Sequence, residues 1–270
     1  MQPETRVETS GAWRKVVFWV VALIVVAGAV AFGIGVGIRY QTLRLLFELD
    51  QKTALITATK RVFGIQPTYA ENLQDLWVAF CVAPGKHNGY YVDVGSADGV
   101  IGSNTKLLDD LGWKGICIDP FPKNMSSRTC QMFKQPVFDK SGEKVMFRNA
   151  GDIGGIDKTV GSDPRVLKAP LVELTTATLD EILAKANAPA NIDFMSIDVE
   201  GAEVPVLRGL SLDRYRIEAF CIENDGEPAR SQIRQILEPR GYKHVRSWKR
   251  DDWYVLNDQS YRSYMEFRGK

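Results

Sequence analysis

The fold is decided by the stretch Tyr90-Tyr91-Val92-Asp93-Val94-Gly95-Ser96-Ala97-Asp98-Gly99. Its apolar first half predicts a β-strand, which runs into an acidic, glycine-bearing turn and then into a helix that ends near Leu111. Glycines let a backbone approach a ligand closely, and a carboxylate at this place can receive an ammonium or hydroxyl group. The turn therefore predicts a small nucleotide-like ligand, bound by Asp93, Gly95, Ser96, Asp98 and Gly99.

A second acidic strand end strengthens this interpretation. About twenty residues beyond Gly99, an apolar strand ends in Ile118-Asp119-Pro120, and an acid at that place in a doubly wound sheet hydrogen-bonds the ribose hydroxyls of a nucleoside. A lone glycine turn would be weak evidence, since many strand-to-helix turns contain glycine for packing alone. The turn and Asp119 together indicate a nucleoside site.

Short apolar runs alternate with helical stretches from residue 90 onward, which is typical of a parallel sheet with crossover helices. The predicted strands are Tyr90 to Val94, Gly115 to Ile118, Phe194 to Ile197 and Ala219 to Ile222. The predicted helices are Asn72 to Val82, Leu179 to Asn187, Val204 to Leu210 and Ile233 to Leu237. Val137 and Val145 to Phe147 are interpreted as one strand or a hairpin, and His244 to Trp248 with Trp253 to Leu256 as an antiparallel hairpin at the sheet edge. We therefore expect an α/β fold with a mostly parallel sheet.

The spacing of the glycines distinguishes between two kinds of nucleoside ligand. The turn reads Asp-x-Gly-x-x-x-Gly and lacks the G-x-G-x-x-G that brings a helix N-terminus against a pyrophosphate. S-adenosylmethionine has no phosphate and presents an α-amino group and a sulfonium, which carboxylates such as Asp93 and Asp98 suit better than bare amides. The sequence thus favours S-adenosylmethionine as the cofactor over a dinucleotide.

A third strand, Phe194 to Ile197, delivers Asp198 and Glu200 at its carboxyl end, where ligands bind in open α/β sheets. We predict that this is the floor of the reaction site, with Asp198 as the first candidate for the base that takes a hydroxyl proton and Glu200 as the next. For Glu203, a carboxylate in the first turn of a helix is as good an interpretation as a direct role.

The fourth strand ends in Ile222-Glu223-Asn224-Asp225-Gly226. With Asp198, these oxygens could form a site for a hard divalent cation such as Mg²⁺. Alternatively, Glu223 and Asn224 orient the acceptor hydroxyl or hold the loop by local hydrogen bonds.

These segments, in this order, resemble the FkbM-type S-adenosylmethionine-dependent methyltransferases. The resemblance runs from Gln74-Asp75-Leu76-Trp77-Val78 through Val92-Asp93-Val94-Gly95 and Gly112-Trp113-Lys114-Gly115-Ile116-Cys117-Ile118-Asp119-Pro120. It continues through Asp198-Val199-Glu200-Gly201-Ala202-Glu203 and Cys221-Ile222-Glu223-Asn224 to Arg250-Asp251-Asp252-Trp253-Tyr254-Val255. It implies a class I methyltransferase fold and O-methylation of hydroxyls on sugars or other natural products.

Two regions depart from the family pattern. Ala97 stands where the family often has an asparagine or an aromatic residue facing the donor. The stretch from Asn149 to Ala169 is rich in glycine and charge and matches no fixed motif, so we interpret it as a mobile lid or acceptor loop.

The amino-terminal part predicts a single-pass membrane protein. Val16 to Ile38 contains no charged residue, and roughly 20 apolar residues at a helical rise cross a bilayer. A cleaved signal peptide would have a shorter apolar core and a clear cleavage site. We therefore predict a polar tail (1–15), a transmembrane helix (16–38), a helical stalk (39–70) and a methyltransferase-like domain (71–270). Positive charges on both sides of the helix leave its orientation open.

The charge and the cysteine content indicate which kinds of partner and site the composition disfavours. A formal net charge of +1 over 270 residues gives no reason to favour nucleic acid as a partner. The four cysteines contain no CxxC pair, which indicates neither a zinc site nor a redox motif. Cys117 and Cys221 lie in apolar runs and are predicted to be small core residues, compatible with a reducing compartment.

Two functions remain in competition at this point. The first is a methyltransferase tethered to the lipid bilayer that modifies a glycan, a lipid-linked molecule or another small acceptor. The second is a catalytically silent methyltransferase-like subunit or assembly factor of a membrane protein complex. The first is the preferred hypothesis, and it is motivated by the intact set Asp93, Gly95, Asp119, Asp198 and Glu200. The predicted membrane helix, a GxxxG step at Gly33 and Gly37, and the departure at Ala97 motivate the second.

Overall fold

The computed structural model describes residues 68–83, 85–224 and 226–256. Its strands in chain order are β1 (Tyr90–Val94), β2 (Lys114–Ile118), β3 (Gln131–Phe133), β4 (Lys144–Arg148), β5 (Gly155–Ile156), β6 (Leu171–Thr175), β7 (Asn191–Ile192), β8 (Phe194–Ile197), β9 (Arg216–Ile217), β10 (Ala219–Glu223), β11 (Tyr242–Trp248) and β12 (Asp251–Leu256). Its α-helices are α1 (Gln74–Trp77), α2 (Lys106–Asp110), α3 (Pro164–Leu167), α4 (Leu179–Lys185), α5 (Glu203–Arg208) and α6 (Ala229–Leu237). A π-helical turn, Val78–Val82, continues α1, and 3-10 turns occur at Met125–Ser127, Gly151–Ile153 and Glu238–Arg240.

Seven strands form one sheet in the spatial order β11-β12-β10-β8-β1-β2-β3. The five strands from β10 to β3 are parallel, and β12 and β11 run antiparallel at the edge beyond β10. The parallel part follows the doubly wound order 3-2-1-4-5. The predicted α/β fold, with a mostly parallel sheet and an antiparallel C-terminal edge hairpin, is confirmed.

The central strands form because their residues are apolar on both faces. Val92, Ile116, Met195 and Phe220 are buried, as expected for parallel strands that are covered by helices on both sides. Helix α4 adds a buried stripe, and the hydroxyl of its N-cap residue, Thr178, accepts a hydrogen bond from the Glu181 amide.

The strand register aligns the carboxyl ends of the parallel strands. Val94 at the end of β1 pairs with Ile118 in β2 on one side and with Ile197 in β8 on the other. Ile197 in turn pairs with Ile222 in β10. The loops that carry the acids predicted for the site therefore start at the same edge of the sheet.

A second, smaller sheet corrects one prediction. Val145 to Phe147 does not pair with Val137: β4 lies between β5 and β6 in a three-stranded antiparallel sheet, while Val137 makes an isolated bridge with Ala177. The partner strand β6 lies beyond the loop that ends at Ala169, so short-range pattern alone does not reveal the pairing. A third sheet consists of the short parallel pair β7 and β9.

The segment that enters the domain is fixed against the edge hairpin. The ring of Trp77 stacks on Trp253 with centroids 4.6 Å apart, and Gln74 donates a hydrogen bond of 2.8 Å to Asp251. The predicted helix between Asn72 and Val82 is present as α1 and its π-helical continuation.

The cysteines give a second correction. Cys221 is buried and free, as predicted, and Cys117 is fully buried in β2. Cys117, however, is joined to Cys130 by a disulfide, with Cα atoms 5.7 Å apart. The sequence separation of 13 residues carries no recognisable motif, so the pair escapes sequence analysis.

The membrane-spanning segment stays a prediction. The predicted tail and transmembrane helix, and all but the last three residues of the predicted stalk, lie outside the described residues. Within the part of the chain that is described, no helix has the length and apolarity needed to cross a bilayer.

Candidate functional site

A pocket opens at the aligned strand ends. Four of the eight residues predicted for the site, Gly95, Asp119, Asp198 and Glu200, line it. The other lining residues are Val94, Ala97, Ile118, Pro120, Phe121, Gln135, Pro136, Val137, Phe147, Gly151, Asp152, Gly154, Ile156, Val199 and Ala202. The register thus brings the ends of β1, β2 and β8 around one cavity.

Gly95 is required by contact with another strand end. Its φ is +84°, and a Cβ atom there would lie 1.7 Å from the carbonyl oxygen of Asp198. Its amide donates a hydrogen bond of 2.8 Å to the Ile118 carbonyl. The sequence predicted that Gly95 lies close to a ligand. In the structure, the glycine is needed because the backbone at Asp198 lies against it.

Asp119 lies in the pocket at the end of β2. One of its carboxylate oxygens accepts a hydrogen bond of 3.1 Å from the Ala97 amide, and the other accepts one of 2.7 Å from the Phe121 amide. Burial raises the pKa of Asp119, and these two hydrogen bonds oppose the rise. Each oxygen retains a lone pair for a further donor, as binding of ribose hydroxyls requires.

Asp93 does not line the pocket. Its carboxylate is buried and accepts a hydrogen bond of 2.5 Å from the Thr105 hydroxyl, with Arg128 4.0 Å away. Burial raises the pKa of Asp93, and the charge of Arg128 opposes the rise. The Asp93 side chain is thus held by Thr105 and Arg128, and its predicted contact with an ammonium group of the ligand stays a prediction.

Three further predicted residues shape the turn without lining the pocket. Asp98 accepts hydrogen bonds of 2.9 Å from the amides of Val100 and Ile101, and its second oxygen bonds Asn124. The Gly99 amide bonds the Lys123 carbonyl at 2.9 Å. Ser96 is buried, and its hydroxyl has no hydrogen-bond partner within the described residues.

Three carboxylates meet at the pocket, and two of them, Asp198 and Glu200, line it. Asp198, Glu200 and Glu223 each offer an oxygen within 4.8 Å of the others. Asp198 and Glu200 are partly exposed, whereas Glu223 is only 7% exposed. The convergence of the third and fourth strand ends, which the sequence left open, is present.

An added positive charge would stabilise this carboxylate cluster. Burial, together with the negative charges of Glu200 and other nearby acids, raises the pKa of Asp198 to about 7. Burial and the charge of Asp198 likewise raise the pKa of Glu223, which Arg250 opposes. A proton, a cation or a guanidinium group can supply that charge.

Arg250, in the edge hairpin, supplies part of the positive charge at the carboxylate cluster. Its guanidinium Nη2 lies 3.0 Å from Glu223 and 3.9 Å from Glu200. The carbonyl of Arg250 also accepts a hydrogen bond of 2.7 Å from the Asn224 amide. The sequence placed Arg250 between the two strands of the predicted edge hairpin and in the last segment of the family resemblance. It assigned Arg250 no role at the site, because nothing local shows that the turn reaches Glu223.

Glu203 has a structural place. Its carboxylate accepts hydrogen bonds of 3.1 Å from Val199 and 3.0 Å from Gly201. It therefore fixes the backbone of the loop that carries Glu200, at the start of α5, which agrees with the interpretation as a first-turn carboxylate.

The small sheet and the segment before it supply a wall that sequence analysis did not assign. Phe121 and Phe147 pack with ring centroids 5.7 Å apart, and both line the pocket with Ile156. Gln135 also lines it, and its buried Nε2 has no hydrogen-bond partner among the residues described. The stretch from 149 to 169, predicted to be a lid or acceptor loop, contributes Gly151, Asp152, Gly154 and Ile156 to the lining.

Comparison with known proteins identifies a family. The model of the methyltransferase FkbM domain matches residues 93–244, more than half of the 270 residues. A solved structure titled "Human methyltransferase 10 domain containing protein" is 12% identical, with a TM-score of 0.39, covering 77% of this chain and 96% of that chain. A "delta-N METTL16 MTase domain" is 12% identical, with a TM-score of 0.37, covering 78% and 99%. No curated protein sequence matches.

We predict that Gly95→Ala separates the ends of β1 and β8. The new methyl group would overlap the Asp198 carbonyl, so the free energy of unfolding should fall by more than the roughly 1 to 2 kcal/mol of left-handed strain alone. Denaturant unfolding followed by circular dichroism measures the change.

Gly142→Ala is the matched control. Gly142 has a φ of +80° with nothing within 4 Å of an added Cβ, so this variant reports the backbone strain without the overlap. Equal losses in the two variants would show that the Gly95 contact is unimportant.

Proposed function

The chain belongs to the methyltransferase FkbM domain family of S-adenosylmethionine-dependent enzymes, and from this premise we propose that its pocket binds S-adenosylmethionine and that the protein methylates a hydroxyl oxygen. The observation that carries the proposal is the convergence of Asp119 and Asp198, from strands on either side of β1, on one pocket. The acceptor class we propose is a glycan, a lipid-linked molecule or another small molecule.

The residues present fit the donor. Asp119 has free acceptor capacity for two ribose hydroxyls, and the unpartnered Nε2 of Gln135 is a donor for a ring nitrogen of adenine. Phe121, Phe147 and Ile156 offer apolar contact to the base. When bound, S-adenosylmethionine supplies a methyl group activated by its sulfonium.

The chain's own residues align the acceptor and take up its proton. Asp198 lines the same pocket as Asp119, and its pKa of about 7 leaves a substantial fraction ionised at neutral pH, as a general base requires. Arg250 holds Glu223 and balances the charge of the cluster. The walls of the small sheet exclude water while the acceptor oxygen is held in line.

The carboxylate cluster also fits a divalent cation. Its three ligands are oxygens, the type that Mg²⁺ prefers, and the buried Oε2 of Glu223 has no hydrogen-bond partner in the part of the chain described. We propose that Asp198, Glu200 and Glu223 hold Mg²⁺, which would increase the acidity of the acceptor hydroxyl.

We further propose that residues 16–38 tether the protein to a membrane. The support is the uncharged sequence from Val16 to Ile38, which is long enough to span the hydrocarbon core. Through this helix the protein could also join a membrane-protein complex, the arrangement expected if the domain were catalytically silent.

Donor binding is tested by Asp119→Ala. Loss of a charged acceptor for the ribose should weaken binding of S-adenosylmethionine by about 10 to 100-fold. Isothermal titration calorimetry of the full chain in detergent measures it. Asp213→Ala, which removes an exposed acid that does not line the pocket, should bind like the unchanged protein. Equal affinity in both variants would remove Asp119 from the site.

Methyl transfer is tested with donor labelled in the methyl group and a membrane lipid and glycan extract as acceptor. Asp198→Asn should lower incorporation by about 10² to 10⁴-fold, because the base and a metal ligand are lost together. Asp193→Asn, at the opposite end of β8, is the matched control. Methylation of a hydroxyl gives a methyl ether, so the incorporated label should not be released by mild alkali.

The same assay tests the cation. Chelation should lower transfer and added Mg²⁺ should restore it, with Glu223→Gln requiring more Mg²⁺ than the unchanged protein. If chelation did not change the rate of methyl transfer, the Mg²⁺ site would be ruled out and Asp198 would act only as a base. Absence of label from every fraction, together with an empty donor pocket in a stoichiometric detergent-solubilised complex, would favour the silent subunit.

Membrane attachment is tested by fractionation. The full chain should remain in the membrane pellet after an alkaline carbonate wash, whereas a chain that lacks residues 1–38, the predicted tail and transmembrane helix, should be released. Release of the full chain by the same wash would contradict the tether.

A further inference from the structure

The disulfide closes a segment next to the donor pocket. Cys117 lies in β2 and is 0% exposed, whereas Cys130 is partly exposed immediately before β3. Residues 118–129, here called the disulfide-closed segment, form the loop between them. The first two residues of the segment, Ile118 and Asp119, line the pocket.

The disulfide-closed segment holds the glycine turn of residues 95–99 by its backbone. The amides of Gly95 and Ser96 bond the Ile118 carbonyl at 2.8 and 3.1 Å. Further along, the Lys123 amide bonds the Ala97 carbonyl at 2.8 Å, and the Gly99 amide bonds the Lys123 carbonyl at 2.9 Å. These four backbone hydrogen bonds join the turn of residues 95–99 to the disulfide-closed segment.

The segment also holds the turn through a buried side chain near its far end. Arg128, with its side chain only 1% exposed, donates hydrogen bonds of 3.1 Å to the Gly99 carbonyl and 2.6 Å to the Thr105 hydroxyl. The Thr105 hydroxyl in turn bonds Asp93 at the end of β1. Arg128 stands two residues before Cys130, so the disulfide restrains the backbone from which it reaches the turn.

We propose that the Cys117–Cys130 disulfide is a redox modification site that sets the affinity of the pocket for the methyl donor. In the disulfide form, the segment fixes Asp119 and, through Arg128, the turn of residues 95–99 in the geometry that binds the nucleoside. In the dithiol form the segment is released and the donor binds more weakly. The inference rests on the proposed binding of S-adenosylmethionine in this pocket.

The reaction is a thiol–disulfide exchange with a dithiol reductant. A thiolate of the reductant attacks the sulfur of Cys130, because Cys117 is fully buried, and the Cys117 sulfur leaves as a thiolate that takes up a proton. The second thiolate of the reductant then displaces Cys130. Two cysteine thiols and one cyclic disulfide of the reductant result, so electrons and protons balance.

The experiment measures donor affinity in both redox states. Calorimetry with S-adenosylmethionine is performed on the full chain in detergent, before and after dithiothreitol, with alkylation and mass spectrometry confirming two additional thiols. We expect reduction to weaken binding about tenfold, because the released segment must be ordered again when the donor binds.

Two variants separate the disulfide from other effects of the reductant. Cys130→Ser removes the crosslink and leaves Cys117 packed in β2, so it should bind like the reduced protein and ignore dithiothreitol. Cys221→Ala removes a buried free thiol from β10 and keeps the disulfide, so it should respond to dithiothreitol as the unchanged chain does.

Backbone hydrogen exchange shows where the change occurs. Reduction should speed exchange at the Gly99 and Lys123 amides, which join the turn to the segment, and leave the amides of β8 unchanged. Equal acceleration in β8 would indicate general destabilisation and overturn the proposal. Donor affinity that is the same in both redox states would also overturn it, whereas no binding in either state would instead refute the proposed function.

Discussion

The register of the parallel strands is the constraint on which the site depends. Because Val94 pairs with Ile118 and Ile197, the chain leaves β1, β2 and β8 at one edge of the sheet. A shift of one residue would turn the side chains that follow these strands to the opposite face. The apolar residues of these strands are buried on both faces, so the strands whose ends carry the acids run through the hydrophobic core.

Two contacts convert the aligned strand ends into a pocket. Gly95 allows the turn after β1 to touch the Asp198 carbonyl, which brings the predicted donor side and the carboxylate cluster together. The disulfide-closed segment then holds the same turn from the side of β2. The edge hairpin contributes Arg250, whose charge opposes the mutual repulsion of the carboxylates. The acids thus share a small volume because backbone contacts and a guanidinium group hold them there.

The sequence predicted those parts of the structure that depend on local pattern. The strand from Tyr90 to Val94 has the predicted bounds, and Asp119 and Asp198 follow strand ends that line the pocket. It did not predict contacts set by long-range folding: Arg128 lies 35 residues beyond Asp93, yet its guanidinium lies 4.0 Å from the Asp93 carboxylate. The same is true of the small antiparallel sheet and the disulfide, because their partners are joined by irregular segments without periodicity.

The central claim is that acids at neighbouring strand ends bind a nucleoside that carries positive charge. A crystal structure of the full chain with S-adenosylhomocysteine tests it most directly. The account predicts ribose hydroxyls within hydrogen-bond distance of Asp119, adenine beside Gln135 and the sulfur directed toward Asp198. A nucleoside bound elsewhere, with the Asp119 carboxylate still contacting only the Ala97 and Phe121 amides, would contradict it.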